Sequence, residues 1–180
     1  TVLGQERAAE NRVYCFNISK GNTKWSWSAE IKSVPDFKCI SPKQINMMIS
    51  AKNNGFGHNI HVQLPRVKQP VPLFIVFRAL GVISDKKIIE TCLLDIEKYE
   101  HLVDLFIPSV HDAGGILTQR TALKYIASLT KGKTISHAQE ILADYFLPHV
   151  GETNYVDKAY YLGYITHRLL SVYTGVDEPT

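Results

Sequence analysis

Polar and apolar residues alternate through the first half of the chain and change to helical spacing in the second. From Val13 to Ile18 the alternation puts Val13, Cys15 and Asn17 on one face and Tyr14, Phe16 and Ile18 on the other, and Lys20-Gly21-Asn22 reads as a turn. Trp25 to Ile31 supplies a hairpin partner, with Trp25, Trp27, Ala29 and Ile31 on a shared face and Lys24, Ser26, Ser28 and Glu30 opposed. The pattern repeats in Gln44 to Ser50, through Ile45, Met47 and Ile49, and in Asn59 to Leu64, through Ile60, Val62 and Leu64. Asn53-Asn54-Gly55-Phe56-Gly57 between them is rich in turn formers. Four such strands predict a small antiparallel sheet whose two faces are not both dry.

The run from Leu64 to Gly81, LPRVKQPVPLFIVFRALG, breaks the alternation. Leu73 to Phe77 offers no polar face, so this element is expected inside the domain. An apolar block of this length also fits a central strand; Pro72, suited to a first helical position, and Gly81, suited to the residue past a helix end, favour a helix. After Gly81 the spacing is helical. Ser84 is expected to cap a helix with Asp85 at its positive end and Ile88, Ile89, Cys92 and Leu93 inward. Leu102, Val103, Leu105, Phe106 and Val110 form a stripe interrupted by Pro108 and stopped by Gly114-Gly115. Thr118 opens a further helix, with Ala122, Leu123, Tyr125, Ile126 and Leu129 inward. Ser136, with Gln139 in a capping-box position, opens the next, with Ile141, Leu142, Tyr145 and Phe146 inward. A last helix from about Asp157 carries Ala159, Tyr160, Leu162, Ile165, Leu169, Leu170 and Tyr173 inward and ends at Gly175. Strands first and helices after predict an α+β fold, a small antiparallel sheet packed with a helical C-terminal half.

Composition narrows the picture. At 180 residues, 45% hydrophobic and 21% charged, the chain suits one ordinary globular domain. A net charge of +3 permits a polyanionic partner without requiring one. Cys15, Cys39 and Cys92 are odd in number, far apart and in no CxxC arrangement, so a disulfide framework and a zinc ribbon are both disfavoured. No apolar run approaches the roughly 20 residues of a membrane span.

The candidate chemistry is sparse. His58 and His61 are three apart but have no Cys, Asp or Glu nearby to complete a zinc site, and read as a surface pair. His111-Asp112 looks like part of a dyad without a nucleophile, and a hydrolase built on Cys92 or His111 would need a cleft joining them. His149 and His167 read as packing residues. Asn54-Gly55-Phe56-Gly57 lacks the ending of a phosphate loop, and no paired aspartates suggest a two-metal centre. Catalytic and metal residues are therefore both expected to be none. Lys20, Lys24, Lys43, Arg66 and Lys68 are the nucleic-acid-contact candidates; Lys32 and Lys38 lie in the same half. If Lys20, Lys24, Lys32, Lys38 and Lys43 gather on one rim they suit nonspecific phosphate contact, and otherwise they are a solvated surface. Trp25 and Trp27 suit base stacking, but their shared strand face argues for core.

Four stretches in order carry a family likeness: QERAAENRVYCF at Gln5 to Phe16, the Leu64 to Gly81 run, LPHVG at Leu147 to Gly151, and KAYYLGYITHRLL at Lys158 to Leu170. Together they resemble the lobe domain, domain 2, of the second-largest (beta-like) subunit of eukaryotic-type multisubunit DNA-directed RNA polymerases. The resemblance implies that residues 1–180 are a single lobe-like domain excised from a longer subunit, with both termini at one side. It implies a non-catalytic body lining the downstream DNA cleft, with nucleotidyl transfer and its magnesium elsewhere in the intact polymerase and no cofactor here. The implied partners are other polymerase subunits and domains, downstream duplex DNA held weakly, and an initiation factor of the TFIIF type. The implied location is the nucleus, or host cytoplasm or virion for a viral enzyme. The connections at Ala51 to His58, Ile31 to Ile40 and Thr130 to Ser136 depart from the family pattern, and these are where partners would touch. A free-standing α+β interaction or nucleic-acid-binding adaptor is the alternative.

Overall fold

The computed structural model describes residues 13–35 and 41–176. Lys38 and the expected convergence of the termini lie outside these residues. Five strands form one antiparallel sheet in sequential order: β1 (Val13–Lys20), β2 (Trp25–Ser33), β3 (Lys43–Ser50), β4 (Ile60–Gln63) and the short β5 (Val71–Pro72). The fifth strand is two residues long and pairs Val71 with Val62, a length at which no alternation is visible in sequence. The helices follow: α1 (Leu73–Ala79), α2 (Asp85–Leu93), α3 (Glu100–Val103), a 3₁₀ turn (Asp104–Phe106), α4 (Ile107–Asp112), α5 (Gln119–Ser128), α6 (Ile135–Asp144), a 3₁₀ turn (Pro148–Val150) and α7 (Tyr155–Tyr173). The α+β expectation holds.

The inner face of the sheet is formed by Ile18, Ala29, Ile31, Ile45, Met47, Ile49, Ile60 and Val62, all buried. α7 crosses β2 and α1 packs on β4 and β5, while α2 lies along α7 and α5 bridges α1 and α6. The helical reading of the Pro72 to Gly81 run is correct, and all of Leu73 to Ala79 is buried. Pro72 itself is the cap residue, with ψ 138°, because it still belongs to β5. Gly81 takes φ +100°, the left-handed conformation expected of it.

One other helix start differs from expectation. α6 is capped by Thr134, which accepts from the His137 amide at 3.1 Å, and Ser136 lies inside the helix. Both residues fit the preference for a hydroxyl, and the turn at Lys133, φ +55°, decides between them. At α5 the expected Thr118 cap forms a reciprocal box with Thr121. Tyr160, expected inward on α7, is 48% exposed.

A fully buried lysine joins two helices. Lys158 donates from Nζ to the carbonyls of Leu142 (2.6 Å) and Ala143 (2.8 Å), the last-turn acceptors of α6 that lack partners within their own helix. Burial lowers its pKa from the ordinary 10.5 to about 8, against the opposing pull of Asp144 and Glu152. The unfolded chain therefore holds this proton more tightly than the folded one, so stability should rise with pH from about 8 toward 9. The slope from one such group is at most about 1.4 kcal/mol per pH unit. Above about pH 9 the burial-raised Cys92 thiol, which ionises first in the unfolded chain, offsets the rise, and above pH 10 the raised pKa values of Tyr125 and Tyr155, both caused chiefly by burial, turn the trend downward. Urea unfolding at several pH values should show the rise in the wild type and not in Lys158→Met; equal slopes in the two would refute this role.

Candidate nucleic-acid interface

The five cationic candidates do not share a rim. β2 and β3 run antiparallel with Trp25 opposite Ser50 and Ser33 opposite Lys43. Lys24 and Lys43 therefore stand at opposite ends of the sheet, separated by about seven residues of β3 or roughly 24 Å. The conditional expectation of a single basic rim is thus replaced by two cationic groups.

The first group surrounds the tryptophans. Lys20 is opposite Trp27 across the β1–β2 pair, its amine 6.0 Å from the ring centroid, and Lys24 stands 5.5 Å from the ring of Trp25. Neither is paired with a carboxylate among the described residues. An extra residue in β2 between Trp25 and Trp27 shifts the register there, so the two indoles do not share a face. Trp27 packs on the core, while Trp25 turns to the outer face of the sheet. There it lines a shallow depression of about 600 Å³ with Lys20, Asn22, Asn46, Met48 and Gln63. No residue type in the sequence announces such a bulge, which is why strict alternation misplaced Trp25.

The second group converges on one ring. The Lys43 amine and the Arg66 guanidinium lie 4.8 Å and 4.3 Å from the centroid of Tyr145, the residue that ends α6. Arg66 adopts φ +61° in doing so. Lys68 is exposed, and its amide donates to the Leu129 carbonyl at 2.9 Å, tying the loop to the end of α5.

Beside Trp25 lies a polar cluster that sequence spacing did not reveal. His61 faces the Trp25 ring at 5.4 Å and places Nε2 3.4 Å from the Asp112 carboxylate, which also accepts from Asn59 at 2.8 Å. Burial lowers the His61 pKa, and Lys24 adds to the effect while Asp112 opposes it, so the ring is neutral at pH 7. His58 instead places Nδ1 2.9 Å from the Ser50 carbonyl. The expected surface pair is therefore two half-buried rings with separate partners. His111 stacks flat on Phe56, centroids 3.6 Å apart, at the tip of the β3–β4 loop. Among the described residues no group of three or more His, Cys, Asp and Glu is arranged to hold a metal ion.

Cys92 lies in the seam between α2 and α7, 2% exposed, with its thiol pKa pushed up by burial. That burial removes Cys92 as a hydrolase nucleophile. His167 places Nδ1 3.2 Å from the Cys92 carbonyl and meets Tyr99 edge-on, and His149 is buried edge-on against Tyr161.

Comparison with known sequences decides the family. The profile of RNA polymerase Rpb2, domain 2, matches residues 9–179. The chain belongs to that family. It is 37% identical over 186 residues to the DNA-directed RNA polymerase II subunit RPB2 of Encephalitozoon cuniculi, covering 99% of this chain and 16% of that subunit. It is 35% identical to DNA-directed RNA polymerase II subunit 2 of Arabidopsis thaliana, covering 94% and 15%. To DNA-directed RNA polymerase subunit Rpo2 of Saccharolobus solfataricus it is 30% identical, covering 99% and 15%. The chain thus spans about one-sixth of the length of these relatives.

The stretches that carry the Rpb2 domain 2 likeness have physical reasons in this fold. In LPHVG, Leu147 is buried at φ +45° and Gly151 sits at φ +127°, a reversal that sends the chain from α6 into α7. In KAYYLGYITHRLL, Lys158 holds the end of α6 and Gly163 lets α2 approach the backbone of α7.

Proposed function

We propose that this chain, an Rpb2 domain 2 homologue, works as the non-catalytic lobe of the second-largest subunit of a DNA-directed RNA polymerase. In this reading it walls the downstream side of the DNA cleft, while nucleotidyl transfer and its magnesium belong to other parts of the polymerase. Its partners are the remaining polymerase subunits, weakly held duplex DNA and an initiation factor of the TFIIF type. The RNA polymerase II names of the relatives support a nuclear enzyme.

One observation carries the DNA-facing part. Lys20 and Lys24 hold their charges over indole rings at the edge of the uncovered sheet face, unpaired with acids among the described residues. Cation–π contact at an exposed site is worth only about 0.5–1 kcal/mol, so either amine can leave its ring for a phosphate. Such contacts position a duplex without reading its sequence.

Duplex binding followed by fluorescence anisotropy should be nonspecific, with Kd on the order of 10⁻⁴ to 10⁻⁶ M at physiological salt, and no nucleotide should be polymerised. Lys20→Glu with Lys24→Glu should flatten the plot of log affinity against log salt by about two, and the same reversal at Lys43 and Arg66 should act separately. Nanomolar, salt-resistant, sequence-specific binding would contradict the proposal.

A further inference from the structure

On the flank formed by α2 and α7 the surface changes character. Leu94 follows α2 at φ 62° and ψ −54°, with the Asp95 amide 2.6 Å from the Leu93 carbonyl. This is the γ-turn of the rare, strained hand. It holds the Leu94 side chain outward at 75% exposure, where a glycine would meet the same backbone demand without a side chain. Across from it on α7, Tyr160 is 48% exposed, and Val156 one turn earlier is 65% exposed. Leu94 and Tyr160 line one open groove of about 450 Å³.

Its charged lining is mainly acidic. Glu90, Asp95 and Glu97 stand on it with Lys87 as the opposing charge. Glu90 reaches Lys86 only at 3.9 Å, and Asp95 accepts from the Lys98 amide, which leaves its charge in place. Outside the groove, one turn further along α7, the Tyr164 hydroxyl accepts from Arg168 at 3.0 Å. A chain of net charge +3 thus carries a local surface of the opposite sign around exposed apolar side chains.

We infer that the groove between Leu94 and Tyr160 docks a basic peptide segment of another polypeptide, its apolar side chains seated between these two residues and its lysines and arginines facing Glu90, Asp95 and Glu97. Charge complementarity selects this occupant. The carboxylates repel phosphate, so this flank is not a second nucleic-acid face, and apolar anchors ringed by opposite charge suit a peptide. The inference deepens the docking reading above and rests on it for the presence of a partner.

The test uses the assembled polymerase carrying this chain and a short photoreactive peptide in which leucine and phenylalanine anchors are set among lysines and arginines. Crosslinks mapped by mass spectrometry should fall on the Leu94 and Tyr160 segments and weaken as salt rises. Leu94→Gly, which relieves the turn, and Tyr160→Ser should each reduce capture there roughly tenfold, as should Glu90→Gln with Asp95→Asn and Glu97→Gln. A peptide with serine anchors should not be captured. Equal capture by the variants would overturn the inference, as would preferred crosslinking of duplex DNA to this flank or pairing of the groove with a second copy of the chain. Salt-slope measurements on the Lys20 and Lys24 variants in the same preparations separate the two proposals. No peptide capture by the unaltered chain with the DNA response intact sinks only the groove, and capture without the DNA response sinks only the cleft-facing role.

Discussion

Arg78→Met should cost about 3 kcal/mol of stability, although it lies in a helix whose other members are all apolar. The guanidinium is 2% exposed, and each of its arms has a separate acceptor. Nε donates to the Ile83 carbonyl at 2.8 Å, Nη1 to the Ile116 carbonyl at 2.9 Å, and Nη2 to the Asp85 carboxylate. One side chain therefore ties the end of α1 to the turn before α2, to the first turn of α2 and to the loop before α5. Methionine fills much of the volume but leaves two carbonyls without their donor, each worth about 1–3 kcal/mol where water does not reach. Asp85 is 46% exposed and regains water, so its share is smaller. Asp85→Asn should accordingly cost no more than about 1 kcal/mol. Arg78→Lys should recover little, since one ammonium does not span three divergent acceptors. For a chain of this size the loss corresponds to a fall in Tm of roughly 6–12 °C. If calorimetry or urea unfolding gives Asp85→Asn the same cost as Arg78→Met, the ion pair and not the carbonyl clamp is the main contribution.

The same residue marks where sequence reading stopped. The block Leu73 to Phe77 announced a buried helix because five apolar residues between Pro72 and Gly81 leave no wet side, and the structure agrees. Nothing in the spacing singles out Arg78 or Lys158 as buried, since long cations usually lie at the surface. Only the helix ends they meet, which tertiary packing brings together, reveal them as buried caps. The β1–β2 hairpin and the Asn53 to Gly57 turn were legible from alternation and turn chemistry. The outward rotation of Trp25 was not, since one extra residue reverses every face after it. The cationic candidates were legible as residues but not as two groups. Tyr145, which gathers Lys43 and Arg66, packs partly against the core as helical spacing predicts, but at the C-cap of α6 it also leaves a ring face open to both cations. The Leu94 groove had no signal at all, because its exposed apolar residues come from two elements some sixty positions apart.

Gly163→Ala should destabilise the chain even though alanine is the better helix former. Built at Gly163, a β-carbon would meet the Thr91 carbonyl oxygen at 2.6 Å, its carbon at 3.0 Å and the Cys92 α-carbon at 3.2 Å. These are backbone atoms of α2, so no side-chain rotation relieves the contact, and the whole helix must withdraw from α7. Overpacking of this kind costs about 1–3 kcal/mol, against a gain of at most about 1 kcal/mol from helix propensity in the middle of α7. The expected net loss is about 1–2 kcal/mol for alanine and more for valine, whose second and third carbons lengthen the required withdrawal. Gly115→Ala is the control, since a β-carbon there has nothing within 4 Å and should be neutral or slightly stabilising. The seam also contains its own reporter. Cys92 is sealed between the two helices, so in a background lacking the other cysteines its thiol should resist modification in the wild type and react measurably faster in Gly163→Ala. A Gly163→Ala chain that matches the wild type in both unfolding free energy and thiol protection would show that the two helices separate without cost, and that the close crossing is not what glycine provides at this position.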